Sequence, residues 1–181
     1  MALKATIYKA ELNITDMDRG YYGSHALTLA QHPSETLERM MLRVVAFARH
    51  ASESLSFTKG ISADDEPDLW QKNYSDEIEV WIDLGEPDEK RLRKACGRAD
   101  QVWIYSYAGR ASEIWWDQQR SKADRFENLS VLSIDPRVMA ELGAMVERSM
   151  RLQATIQDGQ LWLSDDRHNI LVEFTSLKPS A

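Results

Sequence analysis

The N-terminal segment alternates between polar and apolar side chains. Residues 3–14, LKATIYKAELNI, place an apolar side chain at roughly every second position, which is typical of a half-buried strand. A polar turn ending at Gly20 follows, and residues 22–30 predict the returning strand. The segment has no continuous apolar block like that of a signal peptide, so we expect the mature chain to begin at or near Met1.

A helical period follows between residues 33 and 52. Its apolar positions recur at intervals of three and four: Leu37, Met40, Met41, Val44, Val45 and Ala48. Pro33 favours a helix start, because its fixed φ suits the first helical position. The pattern predicts a helix over 33–52 with Arg39, Arg43 and His50 on the face opposite the apolar stripe.

Strand-like and helix-like patterns of apolar residues then alternate along the chain. Strands are predicted at 57–61, 77–84, 101–107 and 129–134, with helices at 87–99, 110–121 and 135–150. Three further strands are predicted at 151–157, 160–164 and 169–177, and Asp158–Gly159 marks a hairpin between the first two. The chain is therefore predicted to be one mixed α/β domain over residues 1–181, with extra antiparallel strands at both termini.

The strand predicted at 77–84 has one core-like face. Its alternate residues Ile78, Val80, Ile82 and Leu84 are apolar, and Glu79, Trp81, Asp83 and Gly85 face the other way. We expect one buried core to contain Met41, Val44, Val45, Ile78, Val80, Ile82, Leu92 and Ile104.

Composition narrows the class of protein. The chain has 181 residues, of which 43% are hydrophobic, which excludes a disordered chain. No uncharged apolar run approaches the roughly 20 residues that span a bilayer, so no membrane segment is predicted. The single Cys96 cannot form an internal disulfide, which favours a cytoplasmic location. The net charge of −7 means that any nucleic-acid partner requires a local basic face.

Acidic side chains crowd the segment from residue 64 to residue 89, where Lys72 is the one base. Asp68 precedes the predicted strand 77–84, and Asp83 lies near its end before Gly85. Two neighbouring carboxylates are a suitable pair of ligands for Mg²⁺, which takes one or two carboxylates and keeps several waters. A solvated acidic surface is the alternative.

Several motifs in this chain resemble the YaeQ family of bacterial proteins. They are HPSETLERMMLR, ADDEPDLW, WIDLGEPDEKRLRKAC, IWW and LQATIQDGQLWLSDD, and the likeness runs through essentially the whole chain. The resemblance implies a variant of the PD-(D/E)XK nuclease core: a central mixed sheet flanked by helices, with added β structure. The predicted order of a helix, a group of strands, a helix and a further strand agrees with it.

The resemblance also implies a site. Pro67–Asp68 is similar to the first part of the nuclease motif, and either Asp83–Leu84–Gly85 or Glu79–Val80–Trp81 supplies the second acid. In both registers the lysine of the motif is missing, since Gly85 or Trp81 stands there. That lysine orients or activates the attacking water and stabilises developing negative charge.

The missing cation has candidates on the next helix. Lys90 and Arg91 are the residues that we predict to replace it, and an ordinary exposed helix face is the alternative. Glu38 on the first helix is the corresponding fourth metal-ligand candidate, beside Asp68, Glu79 and Asp83. Its alternative is a rim residue paired with an arginine.

We expect structural roles for the other residues whose side chains could bind a ligand or react. Asp165, Asp166 and His168 are expected to form the turn between the last two strands, rather than a ligand cluster. Cys96 falls on an apolar stripe and predicts an inert thiol. Of Trp115 and Trp116, one is expected in the core and the other half-exposed, although both have rings that can stack on bases.

Two classes of function follow. The first is a Mg²⁺-dependent phosphodiesterase or nuclease acting on nucleic acid, in which Asp68 and Asp83 approach each other at one mouth of the sheet. The second is a nuclease-derived fold that has lost catalysis and serves as a binding or regulatory module. Fold resemblance alone does not establish the activity.

Overall fold

The computed structural model describes residues 4–59 and 65–180. In chain order the elements are β1 (Thr6–Asp16), β2 (Tyr21–Gln31), α1 (Leu37–His50), β3 (Leu55–Phe57), β4 (Leu69–Lys72), β5 (Ile78–Leu84), α2 (Glu89–Arg98), β6 (Ala99–Ser106), α3 (Arg110–Ala123), β7 (Leu129–Ser133), α4 (Pro136–Ala144), β8 (Ser149–Gln157), β9 (Gln160–Ser164), β10 (Asn169–Val172) and β11 (Thr175–Lys178). The mixed α/β prediction is confirmed, and the described residues form two mixed sheets instead of one central sheet.

The described chain divides into two compact units built from alternating segments. The first unit draws on residues 1–51 and 137–173, and the second on residues 52–136 and 174–181. Neither unit is one continuous stretch of chain. The single domain over residues 1–181 therefore stays a prediction.

The first unit contains a five-stranded sheet in the order β10-β9-β8-β1-β2. β1 and β2 form a long antiparallel hairpin, whereas β8 runs parallel to β1. The hairpin predicted at Asp158–Gly159 is confirmed between β8 and β9, where both residues have positive φ. This sheet thus joins strands from both ends of the sequence.

The helix α1 differs from its prediction at its start and in its burial. It begins at Leu37 and not at Pro33, because the hydroxyl of Thr36 accepts the backbone N–H of Arg39 at 3.1 Å and caps the helix. Its residues 40–48 are all buried, so the predicted polar face does not exist there. Arg43, only 5% exposed, donates two hydrogen bonds to the equally buried Glu35, at 2.6 and 3.0 Å.

The second unit contains a six-stranded sheet in the order β11-β7-β6-β5-β4-β3. β5, β6 and β7 are parallel and their neighbours on both sides are antiparallel. One buried cluster packs α2 and α3 on a face of this sheet: Ile78, Trp81, Leu92, Ala95, Ala99, Val102, Ile104, Trp115, Trp116, Ala123, Leu129 and Val131. The carboxyl ends of three parallel strands therefore lie at one edge of the second sheet.

Both faces of β5 are buried, which corrects the prediction of a single apolar face. Trp81 and Ile82 are fully buried on opposite faces, and Asp83 is only 3% exposed. Val80, predicted in the core, is half-buried. A register shift near Lys72 leaves Glu79 outside the regular ladder between β4 and β5. The other expected core residues are also buried, some in the first unit and the rest in the second.

Several predicted boundaries were wrong for identifiable reasons. β4 lies in a stretch predicted to be loop, since it is only four residues long and carries few apolar positions. The strand predicted at 57–61 is observed at Leu55–Phe57, and residues 60–61 lie outside the described residues. The strand predicted at 169–177 is two strands, β10 and β11, which belong to different sheets. α4 ends at Ala144, short of the predicted residue 150.

Candidate functional site

The pairing of β4 with β5 brings Asp68 and Asp83 together. Leu69 pairs with Ile82 in the antiparallel register, so Asp68 and Asp83 are the next positions on the two strands. Residues in such facing positions have their side chains within contact range. The two carboxylates are only 4% and 3% exposed, respectively. The predicted close approach of these acids at one end of the strands agrees with this geometry.

Asp68 is held by the backbone of β5. Its Oδ2 accepts the N–H of Leu84 at 2.9 Å, and its own N–H donates to the carbonyl of Ile82 at 3.0 Å. A carboxylate that accepts a backbone N–H compensates part of its lost hydration. Asp68 therefore holds the start of β4 to the end of β5, in addition to carrying a charge.

Arg91 binds both oxygens of Asp83. Its Nε donates to Oδ2 at 2.8 Å and its Nη2 to Oδ1 at 3.0 Å, and Nη2 also donates to the carbonyl of Glu66 at 2.8 Å. The capping residue Asp88 starts α2 so that Arg91 lies in its first turn, facing β5. Such a two-point arginine–carboxylate contact is strong and geometrically specific. Arg91, one of the two residues predicted to replace the missing lysine, therefore contacts Asp83.

The same stripe of α2 continues to the acidic segment before β4. Lys94 and Arg98, one and two turns after Arg91, bond the side chain and the carbonyl of Asp65 at 2.6 and 2.8 Å. Lys94 lowers the pKa of Asp65 through its hydrogen bond and its charge. The guanidinium groups of Arg91 and Arg98 also lie 5.8 and 5.3 Å from the ring centre of Trp81.

Glu86 was not singled out from the sequence, yet it joins two loops at this edge. Its Oε1 accepts the hydroxyl of Ser112 at 2.6 Å and the backbone N–H groups of Tyr107 and Ala108 at 3.2 and 3.1 Å. The two N–H groups of the loop before α3 and the hydroxyl of Ser112 compensate the charge of this carboxylate. The signal in the sequence was its place directly after Gly85, whose φ of 117° turns the chain out of β5.

The remaining predicted site residues lie elsewhere. Glu79 is four residues before Asp83, about 13 Å along an extended strand, and bonds Gln71 instead. Glu38 lies in the first unit, where its side chain packs on Gly143 of α4. Lys90 is exposed and has no hydrogen bond or ion pair with the described chain. The register with Asp83 is therefore the one that forms an acid pair.

The carboxylate oxygens that could bind a metal ion are engaged in hydrogen bonds within the protein. Both oxygens of Asp83 are bound to Arg91, and one oxygen of Asp68 is bound to the N–H of Leu84. Within residues 4–59 and 65–180, no group of three or more His, Cys, Asp and Glu side chains is arranged to hold a metal. The magnesium site therefore stays a prediction.

A second cluster of charge covers the outer surface of α2 and α3. Arg93, Lys122 and Arg125 all point to one carboxylate, that of Glu89, at 4.0, 3.4 and 3.2 Å. These three cations, which we call the basic cluster, are each more than half exposed. Three exposed cations thus share the carboxylate of Glu89.

The structural roles predicted for other residues agree with the geometry, with one exception. Asp165 accepts the backbone N–H groups of Arg167 and His168 in the turn between β9 and β10. Burial raises the pKa of the Cys96 thiol to about 11, which makes it a poor nucleophile at neutral pH. Trp115 and Trp116 are both buried, whereas one of them was expected to be half-exposed.

Comparison with known proteins decides the family. A sequence model described as YaeQ protein matches residues 1–174. The chain belongs to the YaeQ family. Among its YaeQ relatives, the uncharacterised protein of Escherichia coli strain K12 is 52% identical over 176 residues, which cover 97% of each chain.

Solved YaeQ structures share the fold. The crystal structure of the YaeQ protein from Xanthomonas axonopodis pv. citri has a TM-score of 0.93 at 46% identity and covers 96% of this chain and 98% of its own. That from Pseudomonas syringae has a TM-score of 0.93 at 34% identity, with 97% of each chain covered. The acid pair on β4 and β5 thus lies inside a fold common to YaeQ proteins. No helix in the described part of the chain is long and apolar enough to cross a membrane.

Proposed function

We propose that this YaeQ-family protein is a nucleic-acid-binding module with a nuclease-like core, in which Arg91 neutralises the acid pair in place of a metal ion. The observation that carries the proposal is the two-point contact of Arg91 with Asp83, beside the buried Asp68. The order β3-β4-β5-α2-β6 within the second unit supports the nuclease-like core, since it is three strands, a helix and a strand.

The charge of the acid pair explains the role of Arg91. Two buried carboxylates repel each other, and each has lost most of its hydration. A metal ion or a guanidinium can compensate them, and both oxygens of Asp83 are already satisfied by the guanidinium. Because Arg91 already compensates the acid pair, neither carboxylate is needed to bind a metal ion that activates water.

The basic cluster supplies the attraction for a polyanion. Arg93, Lys122 and Arg125 are exposed, so they can exchange the single carboxylate of Glu89 for phosphate oxygens without a large desolvation cost. Nucleic acid is the partner class that we propose, because repeated phosphates release counterions from such a surface. The net charge of −7 restricts binding to this face.

The binding test compares two triple variants by fluorescence anisotropy with labelled DNA and RNA oligonucleotides. Arg93→Ala, Lys122→Ala and Arg125→Ala together should weaken binding and reduce the salt slope by roughly 2–3, at 0.7–0.9 for each lost phosphate contact. The matched control replaces three exposed arginines of the first unit, Arg148, Arg151 and Arg167, and should retain the wild-type slope. Absence of salt-dependent binding to either nucleic acid, or equal losses in the two variants, would contradict the proposal.

A second test asks whether Arg91 stands in for a cation. Millimolar Mg²⁺ should leave the melting temperature of the wild type unchanged, because Asp83 is occupied. The same Mg²⁺ should stabilise Arg91→Ala, in which two repelling carboxylates are exposed to a new ligand. Asp83→Asn combined with Arg91→Ala serves as the control and should lose that response.

The second candidate is a Mg²⁺-dependent phosphodiesterase. It is favoured by the close placement of Asp68 and Asp83 at the end of the β4–β5 pair, with a cation beside them. It predicts that Mg²⁺ or Mn²⁺ stabilises the wild type itself, that Asp68→Asn or Asp83→Asn removes this effect, and that cleavage of DNA or RNA falls with the same variants. That set of results would replace the binding module by the enzyme.

A further inference from the structure

We propose that two copies of this protein associate through the outer edges of their β2 strands, which pair antiparallel about Ala26. β2 is the terminal strand of the first sheet, so no strand of the described chain pairs with its outer edge. The association would join two five-stranded sheets into one continuous sheet. This goes beyond the proposed function, on which it does not depend.

The outer edge of β2 presents regular backbone groups. Its eleven residues pair with β1 from Tyr21 to Gln31 without a register shift or bulge. Because Arg43 donates to the carbonyl of Ala30 at 3.0 Å, the even-numbered residues direct their backbone groups away from β1. Ser24, Ala26 and Thr28 therefore offer N–H and C=O groups along an open edge.

This edge lacks the features that normally prevent strand pairing. Exposed edges are usually protected by charged side chains, prolines or bulges. The strand YYGSHALTLAQ contains no Asp, Glu, Lys, Arg or Pro, in a chain with 28% charged residues. The neighbouring β1, an inner strand, carries Lys9 and Glu11 on its exposed face. From Tyr22 to Thr28 the edge is therefore open to strand pairing, whereas Arg43 covers the outward carbonyl of Ala30.

The sequence of β2 selects a second copy as the occupant. A two-fold axis through Ala26 places Ala26 opposite its own equivalent and Ser24 opposite Thr28. The exposed side chains near the axis are all small, so two copies can approach without a clash or a pair of like charges. The pairing ends before Ala30, whose carbonyl already accepts Arg43.

The first test places a cysteine on the proposed axis. In a hydrogen-bonded antiparallel pair the facing Cα atoms lie about 5.5 Å apart, which is within the usual disulfide range. Ala26→Cys should therefore form an intermolecular disulfide under mild oxidation. Gln157→Cys, exposed on β8 of the same unit, is the matched control and should form no intermolecular disulfide. Equal cross-linking of the two variants would overturn the proposal.

The second test is sedimentation over a concentration series. The wild type should show a monomer–dimer equilibrium, and Ala26→Pro should stay monomeric because it lacks the outward N–H at the axis. The N–H of Ala26 is not used within the sheet, so this proline is tolerated on an edge. Ala26→Ser keeps the N–H and should dimerise like the wild type. Thermal melting verifies that each variant is folded.

A further variant guards against a folding defect from proline. Ala26→Lys brings two ammonium groups together at the axis and should also be monomeric, whereas Gln157→Lys should dimerise. A wild type that sediments as a monomer at all accessible concentrations overturns the proposal. So does a dimer that persists in both Ala26→Pro and Ala26→Lys.

Discussion

At the scale of single residues, Arg91 is the most consequential side chain in the second unit. Arg91→Ala leaves Asp83 buried without its cation, and we expect the free energy of unfolding to fall by roughly 3–5 kcal/mol, as when one partner of a buried ion pair is removed. Chemical denaturation at neutral pH measures the loss.

The matched control for Arg91 lies one turn later on the same helix. Lys94→Ala breaks the exposed ion pair with Asp65 and should cost far less than Arg91→Ala, because exposed ion pairs contribute little to stability. Equal effects of the two substitutions would show that the buried Asp83 does not depend on Arg91. Asp83→Asn in the Arg91→Ala background should recover part of the stability, because the uncompensated charge is removed.

His50 makes the stability of the protein depend on pH. Burial, with smaller effects from the charges of Arg49 and Arg19, holds the pKa of His50 well below 6.5. The unfolded chain binds this proton near pH 6.5 and the folded chain does not, so stability is full above pH 6.5 and falls as the pH decreases. Between pH 7 and pH 5 we therefore expect the free energy of unfolding to fall.

His50→Gln should remove much of that dependence in urea titrations at a series of pH values. His32→Gln, outside the C-terminal turn of α1, is the control and should retain it. A smaller slope remains from His25, whose pKa burial also lowers. An unchanged slope in His50→Gln would mean that the imidazole is protonated in the folded protein.

At the scale of elements, the start of α1 depends on one hydroxyl. Thr36→Ala removes the acceptor for the N–H of Arg39 and should cost about 1 kcal/mol, the usual value of an N-cap. Thr36→Ser keeps the oxygen and should be close to the wild type. Thermal melting of the two variants checks the cap, and a loss in Thr36→Ser as large as in Thr36→Ala would contradict it.

Strand β5 is the element on which the second sheet is built, because it has partners on both edges and is buried on both faces. Ile82→Ala should cost roughly 2–5 kcal/mol, since the side chain is fully buried. Val80→Ala, at a half-buried position two residues earlier, should cost clearly less. Denaturant midpoints give both values, and the reverse order would mean that the faces of β5 are wrongly assigned.

At the scale of the whole molecule, the last strand completes a unit whose other residues lie far earlier in the chain. β11 pairs with β7, and the ammonium of Lys178 donates to the carbonyls of Phe126 and Leu129 at 2.8 and 3.0 Å. Deleting residues 174–181 should cost about 3 kcal/mol or more from these charge-assisted bonds alone, a fall of roughly 6–12 °C in Tm.

Deleting only Ser180 and Ala181 is the control for that truncation and should leave the melting temperature unchanged. Amide spectra of the longer deletion should lose dispersed signals from residues of the second unit. Retention of the full set of signals would show that the second sheet is stable without β11.

The local pattern of the sequence predicted most elements, because helix and strand periods are properties of consecutive residues. The strand at 77–84 and the helix after Asp88 were predicted nearly in full. The element β4 was missed because four residues carry too little pattern. The acid pair was predicted from the acidic segment and strand parity together with the family resemblance, since periodicity alone does not relate Asp68 to Asp83.

By itself, then, the sequence determined most of the strands and helices, the hairpin at Asp158–Gly159 and the unreactive setting of Cys96. Only the tertiary structure decided that β10 and β11 belong to different sheets, that Arg43 is buried against Glu35, and that Arg91 binds Asp83. The physical reason is range. Turn geometry and periodicity act between neighbours, whereas strand pairing and charge compensation join residues whose proximity exists only after the chain has folded.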